Sequence, residues 1–507
     1  MRPGRLALPN PVNANPATKR YTPPVVRGSL AALLLALGCT ADTQGDEQAW
    51  AVDTSSDTSS PAATTESSTT GSSTTGSSGE APFASSSAGE SETGDATTGG
   101  DPPAATTTRY PSDRTHSPMT AAVAANLEQI GERGPGLADD VFMKVGASSD
   151  VSASNLHCFA TDDVDLGVYV ELTETLELFR AGDAAGTSAF DRESLATEAG
   201  RSASWVIAGE PSPLQLEIDA ISPSLAFVHF GTNDMEQGVD PGAALPVFFE
   251  AMSALLDGAQ QQGIVPIVVG LTRRGDDPAA NRWIATYNAV LRAMAQQRQV
   301  PFVDAWWAID PLPGHGLGPD GLHLESYAGG ACDFSELGLQ HGYNLRNLIQ
   351  LEALARTEAA AAGDPPDDDV LPPVLGDGSA QQPWLIDGLP FVHDADTANG
   401  IAQLDLYDCS SSDESGPELT YSLELAADTA LRIIALDGEG VDVDVHVLAG
   451  SGPESCVARD DGIIADTFAA GTWRIVIDSW SDGAVDYAGR FVLAVVPCDA
   501  EDPGCGS

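Results

Sequence analysis

The chain has 507 residues, 42% of them hydrophobic, which allows two or three domains with real cores. Lys and Arg number 23 against 74 Asp and Glu, a formal net charge of −51. A surface this acidic excludes nucleic acid and anionic lipid headgroups as partners and disfavours an acidic substrate.

At the N-terminus Arg2, Arg5, Lys19, Arg20 and Arg27 precede an apolar stretch, residues 30–37, that ends at Gly38-Cys39. The stretch is too short to span a bilayer and has the length of a signal-peptide core. It resembles a bacterial lipoprotein signal, which implies removal of residues 1–38, lipidation of Cys39, export, and a membrane contact made through that anchor in the cell envelope. The removed segment carries five basic and no acidic residues, so the mature chain is more acidic still. Residues 67–78 then read SSTTGSSTTGSS inside a Ser/Thr/Gly/Glu-rich run. Such a run cannot bury apolar area, and residues 39–112 are expected to be a disordered tether.

Ser117-Pro118 predicts a helix start, with TAAVAANLEQIGER as the helix. Strands are expected at 141–145, 225–230, 265–271 and 300–303, alternating with helices near 170–179, 243–261, 281–297 and 339–355. This alternation argues a parallel sheet covered on both faces, with ligands at the C-terminal strand ends. Two polar motifs fall at such ends. Ser148 follows VFMKVGA, and Gly231-Thr232-Asn233-Asp234 follows LAFVHF. Farther on comes Asp320-Gly321-Leu322-His323.

These residue types supply what serine-dependent ester hydrolysis needs. A serine hydroxyl is a poor nucleophile until a histidine takes its proton, and a carboxylate must fix the ring's tautomer. His323 and Asp320 suit those roles. The oxygen that becomes negative on the attacked carbonyl needs fixed donors, which the Ser148 N–H and the Asn233 amide can provide. Asp113 and His116 repeat the carboxylate-histidine spacing at the edge of the tether. His229, on a strand, reads as structural. No G-x-S-x-G elbow surrounds Ser148, which sits in GASSD.

With these motifs in this order, residues 117–357 resemble the SGNH/GDSL hydrolase family. The resemblance implies a flavodoxin-like three-layer α/β fold, with Ser148 as nucleophile, Asn233 as oxyanion donor, and His323 with Asp320 completing the triad. It also implies a glycine N–H as a further oxyanion donor. Gly200 in TEAGRSASW matches best, ahead of Gly186. The family's Gly-Asp-Ser reads Gly146-Ala147-Ser148 here. An esterase of this type needs no cofactor or metal and acts on a small-molecule or glycan ester. An acyltransferase using the same residues, or a binding protein that retains the fold, stays open. The hydrolase domain is expected to span 113–357.

Residues 358–382, with DPPDDD, read as an acidic Pro-rich linker. Beyond it the runs LTYSLEL, ALRIIAL, VDVDVHVL, TWRIVID and GRFVLAVV predict an all-β sandwich over 383–507. Alternation in VDVDVHVL predicts a half-buried strand with a wet face. This region resembles the bacterial pre-peptidase C-terminal domain. Asp442, Asp444, Asp460 and Asp461 are candidate calcium ligands, with a solvated strand face the favoured reading.

Six cysteines besides Cys39 remain, Cys158, Cys332, Cys409, Cys456, Cys498 and Cys505. An even count in an exported chain favours disulfides over metal. Fifteen pairings are possible, and the domain split favours Cys158 with Cys332, then Cys409 with Cys456 and Cys498 with Cys505.

Overall fold

The structure, a computed structural model, describes residues 107–507 apart from 369–370, 412–413, 500–501, 503 and 506–507. The signal segment, Cys39 and most of the tether lie outside the described residues.

In chain order the first fold comprises α1 (Ala121–Gly131), β1 (Ala138–Gly146), α2 (Ser148–Val151), α3 (Thr173–Ala181), α4 (Ala203–Ile207), α5 (Pro213–Ile221), β2 (Pro223–His229) and α6 (Pro241–Gln261). There follow β3 (Val265–Val269), α7 (Pro278–Asn281), α8 (Ile284–Gln297), β4 (Phe302–Val303), α9 (Ala305–Ile309) and α10 (Gly342–Ala361). The four strands are parallel, in the order β1-β2-β3-β4. On the other side of β1 a single parallel bridge joins Gly146 to Thr197. Counted as a strand reduced to one residue pair, it completes the flavodoxin-like order 2-1-3-4-5. Helices α1, α3 and α10 pack as one set, and α4, α5, α6 and α8 as another, around the sheet. Phe142 anchors β1, because Phe179, Phe190 and Phe227 meet its ring edge-on with centroids 5.2–5.5 Å away. Each such pair adds about 0.5–1.5 kcal/mol to the burial itself.

Two boundaries differ from the sequence reading. The end of the expected tether packs on the first fold: the Thr108 N–H donates to Gln299 Oε1 at 2.8 Å, and buried Tyr110 donates its hydroxyl to the Val300 carbonyl at 2.9 Å. The first helix starts at Ala121 with Thr120 as its cap, not at Ser117. Ser117 is occupied elsewhere, since its N–H donates to the Phe302 carbonyl and its hydroxyl accepts the Phe302 N–H, both at 2.9 Å. A residue held in register along β4 cannot also open a helix.

The second fold is a sandwich of β5 (Trp384–Ile386), β6 (Phe391–Asp396), β7 (Leu419–Leu425), β8 (Thr429–Asp437), β9 (Val443–Leu448), β10 (Cys456–Asp460), β11 (Ile463–Phe468), β12 (Gly471–Ser479) and β13 (Arg490–Pro497). One sheet runs β10-β9-β12-β7-β5 and the other β11-β8-β13-β6. All pairs are antiparallel except β5 with β7.

The wet face expected on β9 is dry. Asp444 and His446 are buried along with the valines. Tyr407, from the segment before β7, stacks on His446 at 3.8 Å and donates its hydroxyl to buried Asp478 at 2.5 Å. The Cys409–Cys456 disulfide pins that segment to β10. Burial then pushes the Asp478 carboxyl up to about 9 and the His446 imidazole down to about 3.

The expected linker is tied down at two points. α10 runs through its first residues to Ala361, and Asp367 pairs with Arg356 while accepting the Met119 N–H at 2.8 Å. The two folds also share a core. Val392, Ile434, Leu436, Val492, Ala494 and Val496 of the sandwich belong to one apolar cluster with the interior of the first fold. Helix α8 lies between the parallel sheet and β6 with β13, so it is buried on nearly every side. Gln296 Nε2 crosses the junction to Asp394 Oδ1 at 2.9 Å. Arg109 adds an ion pair to Asp387 at 3.0 Å.

Candidate active site

β1 delivers Ser148 to the start of α2, a one-turn helix in which the Asp150 and Val151 N–H groups both donate to the Ala147 carbonyl. The Ser148 hydroxyl lies 2.8 Å from His323 Nε2. The other ring nitrogen, Nδ1, is 2.7 Å from Asp320 Oδ2. Asp320 is itself fixed by the turn, because its Oδ1 accepts the N–H groups of Leu322 and His323, each at 3.0 Å. The His323 hydrogen bond and those two N–H groups hold the Asp320 carboxyl at about 2. It is therefore charged at neutral pH and fixes the Nδ1–H tautomer, leaving Nε2 to accept the serine proton.

The Gly231-Thr232-Asn233-Asp234 turn leaves β2 with Gly231 at φ +129, where a Cβ would stand 2.8 Å from Leu271 Cδ1. The Asn233 amide nitrogen donates to the Arg201 carbonyl at 2.9 Å, which spends one of its two hydrogens and orients the other. Asp234 works beneath. Buried, it accepts the Gly231 N–H at 2.9 Å and the Ala203 N–H at 2.8 Å, so it ties the Asn233 turn to the start of α4. Burial raises its carboxyl to about 6 against the pull of those N–H groups.

The bridge between Gly146 and Thr197 brings the segment around Thr197 beside the strand end that leads to Ser148. Gly200, at φ +78, lies in that segment, and its N–H has no protein partner among the described residues. It does not line the cavity beside Ser148, whereas its neighbour Arg201 does. The Gly186 N–H is not free to serve as a donor, since Asp183 Oδ1 takes it at 2.6 Å. The Ser148 N–H, at the first position of α2, is likewise without a protein partner among the described residues. The cavity is small, about 20 Å³, with Ala147, Phe230, Thr272 and Leu322 among its walls.

Cys158 and Cys332 are joined, with their Cα atoms 5.7 Å apart, so the segment after Ser148 is stapled to the segment after His323. Closing a loop of 174 residues is worth about 5 kcal/mol in the chain-entropy model. Beside the staple, buried Asn347 of α10 accepts the Leu156 N–H at 2.9 Å and donates to the carbonyls of Ser154 (2.9 Å) and Ala331 (3.1 Å). Cys498 is joined to Cys505. His116 stays remote from this chemistry. Its Nε2 bonds the Ile349 carbonyl at 2.9 Å, and burial lowers its pKa to about 4.

Sequence reasoning did not assign roles to Asp234, Arg274 or Asn347. Arg274 is buried, donates to the Thr232 carbonyl at 3.0 Å and pairs with Asp276 and Glu236. Asp234 stood in a quoted motif, but nothing in the sequence set Arg274 or Asn347 apart. Among the described residues no three carboxylates gather at ligand distance. Asp444 pairs with Arg459 at 2.6 Å, and Asp460 caps the turn after it by accepting the Gly462 and Ile463 N–H groups. Cys409, His446 and Cys456 do gather, but the cysteines are spent in a disulfide.

Residues 188–327 match the model of the GDSL-like lipase/acylhydrolase family. A search of curated proteins gave no match. Among solved structures, a two-domain esterase active on acetylated mannans, co-crystallised with mannopentaose, aligns with 74% of this chain and 96% of its own at 12% identity and a TM-score of 0.29. An acetylxylan esterase from Geobacillus stearothermophilus aligns with 43% of this chain and 95% of its own, at 12% identity and a TM-score of 0.29. The pre-peptidase C-terminal domain of a Bacillus anthracis collagenase aligns with 22% of this chain and 91% of its own, at 15% identity and a TM-score of 0.16. The segment bearing Gly200, Asn233, Asp320 and His323 is thus similar to the GDSL-like lipases and acylhydrolases, a family of hydrolases acting on esters.

Proposed function

We propose that the protein is an exported serine esterase that removes a short acyl group, acetyl in size, from an O-acylated carbohydrate or small alcohol. The observation that carries this reading is the unbroken chain from Ser148 Oγ through His323 to Asp320. Attack of Oγ on the acyl carbon sends the serine proton to Nε2, and the oxyanion takes hydrogen bonds from the Ser148 N–H and the Asn233 amide. Collapse expels the alcohol, which receives that proton from His323. Water, deprotonated by the same imidazole, then releases the acid and restores the serine. The narrow cavity beside Ser148, walled by Ala147, Phe230, Thr272 and Leu322, supports a short acyl group over a long one. Hydrolysis of p-nitrophenyl acetate is therefore expected to exceed that of the octanoate in kcat/KM by about tenfold or more, at the few-kcal/mol scale of hydrophobic-pocket discrimination. Equal rates across chain lengths would refute the acetyl assignment. Export and anchoring rest on residues 30–39. Cys39→Ser is expected to move the protein from the membrane fraction to the soluble fraction, and unchanged partition would remove the anchor.

A further inference from the structure

Asp150 stands two residues after the nucleophile, and its carboxylate is almost wholly buried, 2% exposed. Its oxygens are divided between two elements. Oδ2 accepts from His229 Nδ1 at 2.8 Å, and Oδ1 accepts from Arg346 Nη2 at 2.6 Å. His229 ends β2, four residues before Asn233, and Arg346 belongs to α10, where it is also 2% exposed. The carboxylate rests against Gly146, where a Cβ would stand 2.3 Å from Oδ2, so only glycine leaves it room. Charge on Arg346 and the hydrogen bond from His229, with Lys144 nearby, hold the Asp150 carboxyl below its ordinary value although burial alone would raise it.

This arrangement answers a local weakness. A four-residue helix is far below the length that sustains itself, and α2 has no side-chain cap, because Ala147 is its N-cap. Something outside the helix must fix its direction. We infer that Asp150 is a positioning residue for catalysis, clamping the nucleophile-bearing α2 to His229 of β2 and Arg346 of α10 so that the Ser148 hydroxyl and N–H keep their aim. His229 extends the clamp to the cavity, which it helps to line, while its Nε2 makes no protein hydrogen bond among the described residues.

The inference rests on the esterase reading, and the test separates the two. Asp150→Asn keeps the shape but cannot satisfy both donors. In full-length protein whose folding is verified by circular dichroism, it is expected to lower kcat for p-nitrophenyl acetate by about 100-fold, the scale of a 1 Å misplacement, with KM little changed. The rate of Ser148 labelling by a fluorophosphonate should fall in parallel. His229→Gln, which retains a donor for Asp150, should keep clearly more activity than His229→Leu, and this pair decides the matter if Asp150→Asn does not fold. Folded Asp150→Asn with unchanged kcat and labelling, or equal kcat for the two His229 variants, overturns the clamp alone. Wild-type protein that neither hydrolyses nor labels overturns the esterase reading and the clamp with it.

Discussion

Ser148→Ala is expected to reduce ester hydrolysis by about 10⁴- to 10⁶-fold, to little more than the residual catalysis of a site that still holds donors and base. The geometry leaves no substitute, because His323 Nε2 is 2.8 Å from this hydroxyl and its other nitrogen is committed to Asp320. Ser149 lines the same cavity, but its carbonyl is engaged by the Tyr343 hydroxyl at 3.4 Å and no hydrogen bond joins its hydroxyl to the base. Ser149→Ala is therefore expected to keep most of the activity. Initial rates on p-nitrophenyl acetate for the three proteins check both statements, and a crippled Ser149→Ala beside an active Ser148→Ala would transfer the nucleophile by one residue.

Asn233→Ala carries the next largest expected effect. One donor aimed at the developing oxyanion is worth about 3 kcal/mol, so kcat should fall by about 100-fold or more while the protein stays folded. The turn's shape survives the substitution, because Gly231 and the buried Asp234 hold it from beneath. The lost contact to the Arg201 carbonyl is partly exposed and costs little. Steady-state kinetics with a thermal melt of each protein measure both parts. An unchanged kcat would remove Asn233 from the oxyanion site.

Much of this site was legible in the sequence because its residues follow β-strands that read unmistakably. The buried parts of β1 and β2, VFMKVG and LAFVH, are mostly apolar, as buried parallel strands tend to be, and Ser148 and Asn233 come just after them. Other parts were hidden for physical reasons. α10 turns Asn344, Arg346, Asn347 and Gln350 inward, so its buried face looks like a solvent face in sequence. The second strand of the flavodoxin-like order has shrunk to the Thr197 bridge and leaves no pattern to find. The junction with the sandwich was read as a linker because charged residues at 367–369 suggested solvent, whereas Asp367 is paired and α8 is covered by β6 and β13. The wet face predicted for β9 failed through tertiary override. The Cys409–Cys456 disulfide and Tyr407 lie against His446, and Arg459 pairs with Asp444, none of which a period-2 pattern alone can reveal.

The central claim is that Ser148 is activated by His323. Labelling of the wild-type protein with a fluorophosphonate, followed by mass spectrometry of the modified peptide, tests it without knowledge of the substrate. The adduct is expected on Ser148 and is expected to vanish in His323→Ala, since the base is what makes this hydroxyl reactive. An adduct on another serine, or none on protein shown to be folded, would contradict the account.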